Sequence, residues 1–158
     1  MYQVTITNAS ATTFTPLLAV AHRASIQLFE AGAAPSDAFV GLAESDGTAG
    51  FMADLAAQSN KVGDVQSSAG LLGSGESVVA GCRFHRLSLA AMLLPTNDSF
   101  VGLQSVALPR SRGASLTYHA LVYDAGSETN DELCANIPGP QCGGAALSPE
   151  DRGADMCG

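Results

Sequence analysis

The side chains best suited to chemistry lie in two acid-rich loops, each next to strand-like runs of sequence. The first loop holds Asp98, within Leu-Pro-Thr-Asn-Asp-Ser-Phe-Val-Gly at 94–102. The second loop covers residues 123–132, and its oxygen-bearing candidates are Asp124, Glu128, Asn130, Asp131 and Glu132. Two bare carboxylates brought together would repel and raise each other's pKa, and a divalent cation removes that conflict. We therefore expect the loops to meet and to share a cation.

The available ligand types favour calcium as that cation. Calcium takes about six to eight oxygen ligands in flexible geometry, from carboxylates, amides and backbone carbonyls. A site built only from oxygen is less suited to zinc or copper. The chain lacks the spacing of an EF-hand loop, so the ligands would come from two separate turns. An ordinary acidic turn at each position remains the alternative.

Enzymatic chemistry is the main competing interpretation. Asp98 and Asp124 could act as the carboxylate pair of a hydrolase, because glycosidases place two such groups on either side of a groove. The chain has no Gly-x-Ser-x-Gly nucleophile motif. Its three histidines, His22, His85 and His119, form no recognisable catalytic pattern, and we expect them to be structural. We therefore expect no enzyme and assign no catalytic residue.

Composition narrows the class of protein. Charged residues make up 14% of the 158-residue chain, against roughly 25% in an average soluble protein. The net charge of −8 argues against nucleic-acid binding, which needs basic patches. No apolar run approaches the ~20 residues of a membrane span. The chain opens directly into strand-like alternation without a signal peptide, so if the protein is secreted or lies at the cell surface, this is its mature or trimmed form.

Four cysteines bear on the compartment and on assembly. They are Cys82, Cys134, Cys142 and Cys157, and no Cys-x-x-Cys pair suggests a zinc site. Cys134 and Cys142 flank a short loop that could close through a disulfide, which implies an oxidising compartment. Cys82 could be a buried thiol, and Cys157 could pair with Cys82 or with another chain.

Alternating apolar and polar residues predict an all-β class. Strands are expected at 2–8, 17–22, 101–108 and 116–122, with an edge strand within 59–75. Within 76–94 the parity of the apolar residues changes near His85, which predicts either two strands or one strand with a bulge.

Ser36 is expected to cap a helix that ends near Gly47, and Thr48 to cap a second one. Helical spacing predicts an apolar side for each helix, made of Phe39, Leu42 and Ala43 in the first and of Phe51, Met52, Leu55 and Ala56 in the second. These helices form a short two-helix insertion near residues 36–58, packed on one edge. The predicted fold is an antiparallel β-sandwich of about eight strands.

The loop motifs also carry a resemblance to a known family. They are the segment at 94–102, Tyr-Asp-Ala-Gly-Ser-Glu at 123–128 and Asn-Asp-Glu at 130–132. Together these resemble the spondin N-terminal domain, which opens F-spondin and mindin and also occurs in bacterial secreted proteins. Ile-Pro-Gly-Pro at 137–140 and Cys-Gly-Gly at 142–144 are similar to the bacterial members. The resemblance spans about residues 2–144.

The resemblance implies an extracellular calcium-binding β-sandwich with an adhesive or matrix-associated role. The family's acidic loop positions map onto Asp98 and Asp124, and less directly onto Glu128, where animal members often carry aspartate. The architecture is similar to calcium-dependent lipid-binding modules, so a membrane-surface or carbohydrate-binding module is an alternative. The acidic loops make membrane binding the weaker of these, because such binders need basic or apolar loop tips.

The end of the chain departs from that family pattern. Bacterial relatives continue past Cys-Gly-Gly into a strand that completes the sandwich, whereas residues 145–158 here are rich in glycine and acids and show no periodicity. We expect a domain over 1–144 and a loop or disordered tail over 145–158. An uncompleted sheet edge would invite strand addition. We therefore expect a homo-oligomer or fibre, or a complex with a matrix or surface protein, with Cys157 as a crosslink.

Overall fold

The computed structural model describes residues 2–45, 47–131 and 133–144, and within them it contains eight strands, two α-helices and one 3₁₀ turn. In chain order these are β1 (Tyr2–Thr7), β2 (Thr13–Phe14), β3 (Leu18–His22), α1 (Asp37–Glu44), α2 (Thr48–Ala56), β4 (Val62–Ser67), β5 (Ser77–Cys82), β6 (Arg86–Leu94), β7 (Ser99–Ala107), β8 (Leu121–Asp124) and the 3₁₀ turn (Cys134–Asn136).

Strand β6 lies at the centre of the larger sheet. This sheet has six strands in the order β4-β3-β6-β7-β8, and β2 pairs with the last two residues of β6. All neighbouring strands run antiparallel. Every residue of β6 from Leu87 to Leu94 is buried, so both faces of the sheet need cover. Its nearly continuous apolar sequence reflects this burial on two faces.

A two-stranded sheet of β1 and β5 covers one of these faces. Ile6 of β1 and Val78 of β5 pack against Leu89 and Leu93 of β6. The sequence predicted a change of parity near His85, and β5 and β6 are indeed separate strands in different sheets. Two antiparallel sheets with an apolar layer between them confirm the predicted β-sandwich.

The two helices cover the opposite face, not an edge as predicted. Phe39 of α1 and Phe51 and Leu55 of α2 join a buried cluster with Val20 and Phe100 of the large sheet. Periodicity predicted the apolar side of each helix, but β3, buried along its whole length, dictates where that side packs. Neither helix, among the described residues, is long and apolar enough to cross a membrane.

The helix caps partly match prediction. The Ser36 hydroxyl oxygen accepts a hydrogen bond from the Phe39 N–H at 3.3 Å, which confirms the cap of α1. In α2, Gly47 occupies the cap position and makes no side-chain cap hydrogen bond, while Thr48 is the first helical residue. The predicted cap at Thr48 was therefore wrong by one position.

The strand predicted at 116–122 differs most from the structure, because residues 116–120 do not form a strand. Strand β8 begins only at Leu121, and its pairing with β7 ends at the Gly102–Leu121 pair. Further along β7, the register with β6 shifts between Leu87 and Leu89, and Ser105 adopts a φ of 52°. Such a bulge bends the strand, so β7 offers no straight edge to the residues before Leu121.

A buried polar network fixes β3 against this bulge. His22 is fully buried, with Nδ1 2.7 Å from the Arg23 carbonyl and Nε2 2.7 Å from the Ser88 hydroxyl. A carbonyl can only accept, so Nδ1 carries a proton, and burial favours the neutral imidazole, in which Nε2 accepts from the Ser88 hydroxyl. The Ser88 oxygen also accepts from the Ser105 N–H at 2.8 Å. The Ser88 hydroxyl also lies 3.4 Å from Gln104 Oε1, so it can donate to that oxygen if Nε2 becomes protonated, at the cost of a buried charge on His22.

We predict that stability falls as the pH drops below about 6.5. Burial lowers the pKa of His22 from 6.5, and the positive charge of Arg86 acts in the same direction, against the Arg23 carbonyl. The imidazole of the unfolded chain is protonated as the pH falls through its ordinary pKa, whereas the imidazole of the folded chain is protonated only at a lower pH. Between these two pH values the unfolded state binds more protons, so it becomes more favourable relative to the folded state. The free energy of unfolding should therefore fall by at most about 1.4 kcal/mol for each pH unit.

Urea unfolding between pH 8 and pH 5 measures how the free energy of unfolding changes with pH. We expect His22→Gln to reduce this pH dependence. His119 is exposed, so His119→Gln is the matched control and should keep the parent slope. An unchanged slope in His22→Gln would contradict the assignment, even if that variant is less stable at every pH.

Candidate metal centre

Strand pairing brings the two acidic loops together. Ser99 of β7 pairs with Asp124 of β8, so the residue before β7 and the last residue of β8 lie at one end of the sheet. The Ala125 N–H donates to the Asp98 carbonyl at 3.3 Å and ties the loops together. Loops at the end of a sandwich can thus contribute oxygen atoms from both turns to one place.

Asp98 is the buried acid of this junction. It is 0% exposed, and its Oδ2 accepts three hydrogen bonds: from the Ser127 N–H at 2.8 Å, the Ser127 hydroxyl at 3.3 Å and the Glu128 N–H at 3.1 Å. Its Oδ1 is also buried but has no hydrogen-bond partner in the described part of the chain. Removing a carboxylate oxygen from water without replacing its contacts is costly. A cation at Oδ1 would remove this cost.

Glu128 and Asp124 flank Asp98 in different environments. Glu128 is buried, at 8% exposure, directly beside the Asp98 carboxylate that its N–H contacts. Asp124 is exposed, and its Oδ1 accepts from the Gly126 N–H at 2.7 Å while Oδ2 accepts from Asn130 Nδ2 at 2.7 Å. Gly126 has a φ of 66°, which glycine adopts at low cost. Each carboxylate oxygen has a further lone pair, so Asp124 can shape its turn and still bind a cation.

Asp131 anchors a separate turn. Its Oδ1 accepts from the Leu133 N–H at 2.8 Å and from Asn97 Nδ2 at 3.4 Å, and its Oδ2 accepts from Asn136 Nδ2 at 2.6 Å. The Leu133 N–H is the main cause that lowers the pKa of Asp131, with Asn136 and Asn97 in support. Glu132, also expected as a ligand, lies outside the described residues.

The predicted ligands thus fall into three small groups. Asp98 lies beside Glu128, Asp124 bonds to Asn130, and Asp131 holds its own turn. In the described ranges, no three His, Cys, Asp or Glu side chains form a ready metal-binding group. A cation here would therefore need amide, backbone or water oxygens in addition to carboxylates, a mixture that calcium accepts.

Sequence reasoning missed the residues that hold these acids in place. Ser127 gives two donors to Asp98, and Asn97 and Asn136 both donate to Asp131. One local signal was present: both Asp124 and Asp131 accept from the N–H two residues later, which is the Asx-turn pattern. The longer-range contacts depend on the fold and leave no such local signal.

A disulfide closes the segment after the second loop. Cys134 and Cys142 are bonded, with their Cα atoms 4.8 Å apart, which confirms the predicted pair. Just beyond the closed loop, the Gly143 N–H donates to the Gly139 carbonyl at 2.8 Å and the Gly144 N–H donates to the Ile137 carbonyl at 2.9 Å, and both acceptors lie inside the loop. Cys82 lies in β5 and Cys157 outside the described residues, so their pairing stays a prediction.

Reduction of this disulfide should loosen the loop and leave the Asp98 junction intact. We expect faster hydrogen exchange at the Gly143 and Gly144 amides after reduction, because the crosslink no longer holds their acceptors in place. The Ser127 and Glu128 amides bond to Asp98 and serve as internal controls, with exchange expected to stay unchanged. Equal acceleration at all four amides would contradict this separation.

Comparison with known proteins supports the family suggested by the loops. The model of the Spondin_N family matches residues 6–134, from the end of β1 through both acidic loops to the first cysteine of the disulfide. A search of curated proteins returned no significant match. The family comprises extracellular, non-enzymatic modules. Because the match covers most of the chain and includes both loops, the protein belongs to the spondin N-terminal domain family.

Proposed function

We propose that this protein is a secreted calcium-binding module of the extracellular matrix type. The observation that carries the proposal is the buried Asp98 Oδ1 where the two acidic loops meet, which no described residue contacts by a hydrogen bond. Family membership supports the extracellular role, and the disulfide fits an oxidising compartment. Calcium is the divalent cation whose ligand preferences suit this junction best.

The proposed ligand set has Asp98 at its centre. Asp98 Oδ1 is the first ligand, because a cation there needs no existing hydrogen bond to break. Asp124 and Glu128 are the nearest further acids along the same two loops, and Asn130 is bonded to Asp124. Asp131 and Glu132 remain proposed contributors. Magnesium is disfavoured because it demands near-octahedral geometry, whereas calcium tolerates an irregular mixture of oxygens.

Bound calcium would join the two loops across the sheet end. The cation offsets the negative charge of Asp98 and its neighbours, and it binds the folded state in preference to the unfolded one. At a calcium concentration 100-fold above Kd, such binding adds about 2.7 kcal/mol of stability. For a chain of this size that corresponds to a rise in Tm of roughly 5–10 °C.

Asp98 variants test the calcium proposal in the presence and absence of chelator. In Asp98→Asn, the amide oxygen can keep the bonds from Ser127 and Glu128, while the charge needed for calcium is lost. We expect Asp98→Asn to match the parent Tm in chelator but to gain no stability from calcium. Asp98→Ala loses the loop hydrogen bonds as well, so it should be less stable in both conditions and equally unresponsive to calcium.

Asp54→Asn is the matched control for charge removal. Asp54 is an exposed acid on α2, away from the loops, so this variant should keep the full calcium response. Parent protein whose Tm does not change between chelator and calcium would refute the proposal. A calcium response that survives in Asp98→Asn would place the ion elsewhere.

The binding role is proposed to be adhesive, matrix-associated or self-assembling. The partners would be an extracellular matrix or surface protein, or further copies of this chain. A hydrolase mechanism has less support, because Asp98 is fully buried and its Oδ2 is held by three donors, which leaves no access for a substrate. Catalysis requires a group within hydrogen-bond reach of the substrate.

A further inference from the structure

A groove of about 1000 Å³, lined by apolar and polar side chains, runs beside the two-stranded sheet. All six residues of β1 line it and no residue of β5 does, so it follows the outer edge of β1. Its floor includes Leu87, Leu89 and Leu103 of the large sheet, and its other wall is formed by residues 109–120. The groove lies on the opposite side of β7 from the helices, where the covering layer is incomplete.

The outer edge of β1 is an open strand edge. Its sequence, Tyr-Gln-Val-Thr-Ile-Thr, has no charge, proline or glycine to discourage pairing. Its ladder partner is β5, on the other side. Along the groove side, no backbone hydrogen bond joins β1 to the described parts of the chain. The β1 backbone therefore offers unpaired donors and acceptors to an extended segment.

The opposite wall and the neighbouring strand β8 expose large apolar side chains towards the same space. Leu116 is 56% exposed, Tyr118 42% and Val122 59%, and all three line the groove. The Tyr118 hydroxyl donates to the Ala107 carbonyl at 2.6 Å, which holds this wall against the end of β7. A clustered set of exposed apolar side chains is typical of an interaction surface.

The charge of the groove differs from that of the whole protein. Arg110, Arg112 and His119 line it and, among the described residues, no carboxylate does, although the chain has a net charge of −8. The two arginines follow Leu108, which packs in one cluster with Leu87 near the start of β6. They therefore lie at the end of the groove where β6 begins. An occupant that carries acidic residues at this end would be complementary.

We propose that the groove binds an extended segment of a partner polypeptide by strand addition to β1. The segment is about six residues long, has apolar side chains at alternate positions, and places acidic residues beside Arg110 and Arg112. Residues 145–158 do not meet this description, because Leu147 and Met156 are their only large apolar side chains and acids, proline and glycine separate them. The proposal rests on the protein-binding role proposed above and does not require the calcium site.

Designed peptides test the groove on the full chain. The probe is a fluorescent ten-residue peptide with valine and isoleucine at alternate positions, threonine between them and two glutamates at one end. We expect saturable binding, measured by anisotropy, that is the same in calcium and in chelator. A peptide of the same composition with a central proline should not bind, because proline removes a ladder donor and breaks the strand.

Two neighbouring residues of β8 supply a matched pair of variants. Val122 lines the groove and is 59% exposed, whereas Leu121 points away from it and is 62% exposed. Val122→Lys should weaken binding roughly tenfold or more, and Leu121→Lys should leave it unchanged. Leu116→Lys, in a wall outside the sheet, serves as a second test if Val122→Lys does not fold. The double variant R110E/R112E should favour a peptide that ends in lysines.

Several outcomes would overturn the proposal. The first is a parent protein that does not bind the probe. The second is equal binding by Val122→Lys and the parent. Probe binding that appears only in the full-length Leu147→Asp variant would show that the chain's own tail fills the groove. A concentration-dependent dimer that the probe dissociates would assign the groove to a second copy. Each result is independent of the Asp98 variants, so failure of the calcium proposal would leave this one intact.

Discussion

The burial of β6 on both faces is the constraint on which the other features depend. A strand with apolar side chains on both sides cannot lie at a surface, so a layer is needed above and below the large sheet. The helices supply one layer, and the pair of β1 and β5 supplies the other. The second layer has only two strands against six, so part of the sheet beside β7 and β8 stays uncovered. The groove is the direct result of that mismatch.

The same strand leads into the candidate metal centre. After Leu94, the chain passes through a cis peptide to Pro95 and reaches Asp98 within four residues. The turn back into β7 buries the Asp98 carboxylate and aligns it with the end of β8. Three donors satisfy one oxygen, whereas no donor from residues 2–45, 47–131 or 133–144 satisfies the other, an imbalance that turns alone do not explain. A cation that uses the second oxygen would join both turns to the sheet.

Much of this arrangement could be predicted from the sequence, because it follows from local patterns. Alternation identified the strands, the Ser36 cap identified the first helix, and the short spacing of Cys134 and Cys142 identified the disulfide. The meeting of the two acidic loops was also correctly expected, because both adjoin apolar strands. Whether those loops bind calcium remains a prediction.

The missed features depend on tertiary structure. Residues 116–120 alternate like a strand, yet the bulge near Ser105 deprives them of a straight partner. Helical periodicity showed apolar sides for α1 and α2 but could not show that β3 and β6 needed them as cover. The donors to Asp98 and Asp131 come from distant residues, such as Ser127 and Asn97. A pattern within one segment cannot identify such partners.

The most direct test of the central claim is a crystal structure of the protein grown with calcium, with the anomalous signal of the ion measured. The account predicts a single strong peak 2.3–2.6 Å from Asp98 Oδ1, a distance typical of calcium–oxygen bonds, with further oxygens from the loop at 123–131. A map with no peak at Asp98, or with a hydrogen-bonded water at Oδ1 under saturating calcium, would contradict it.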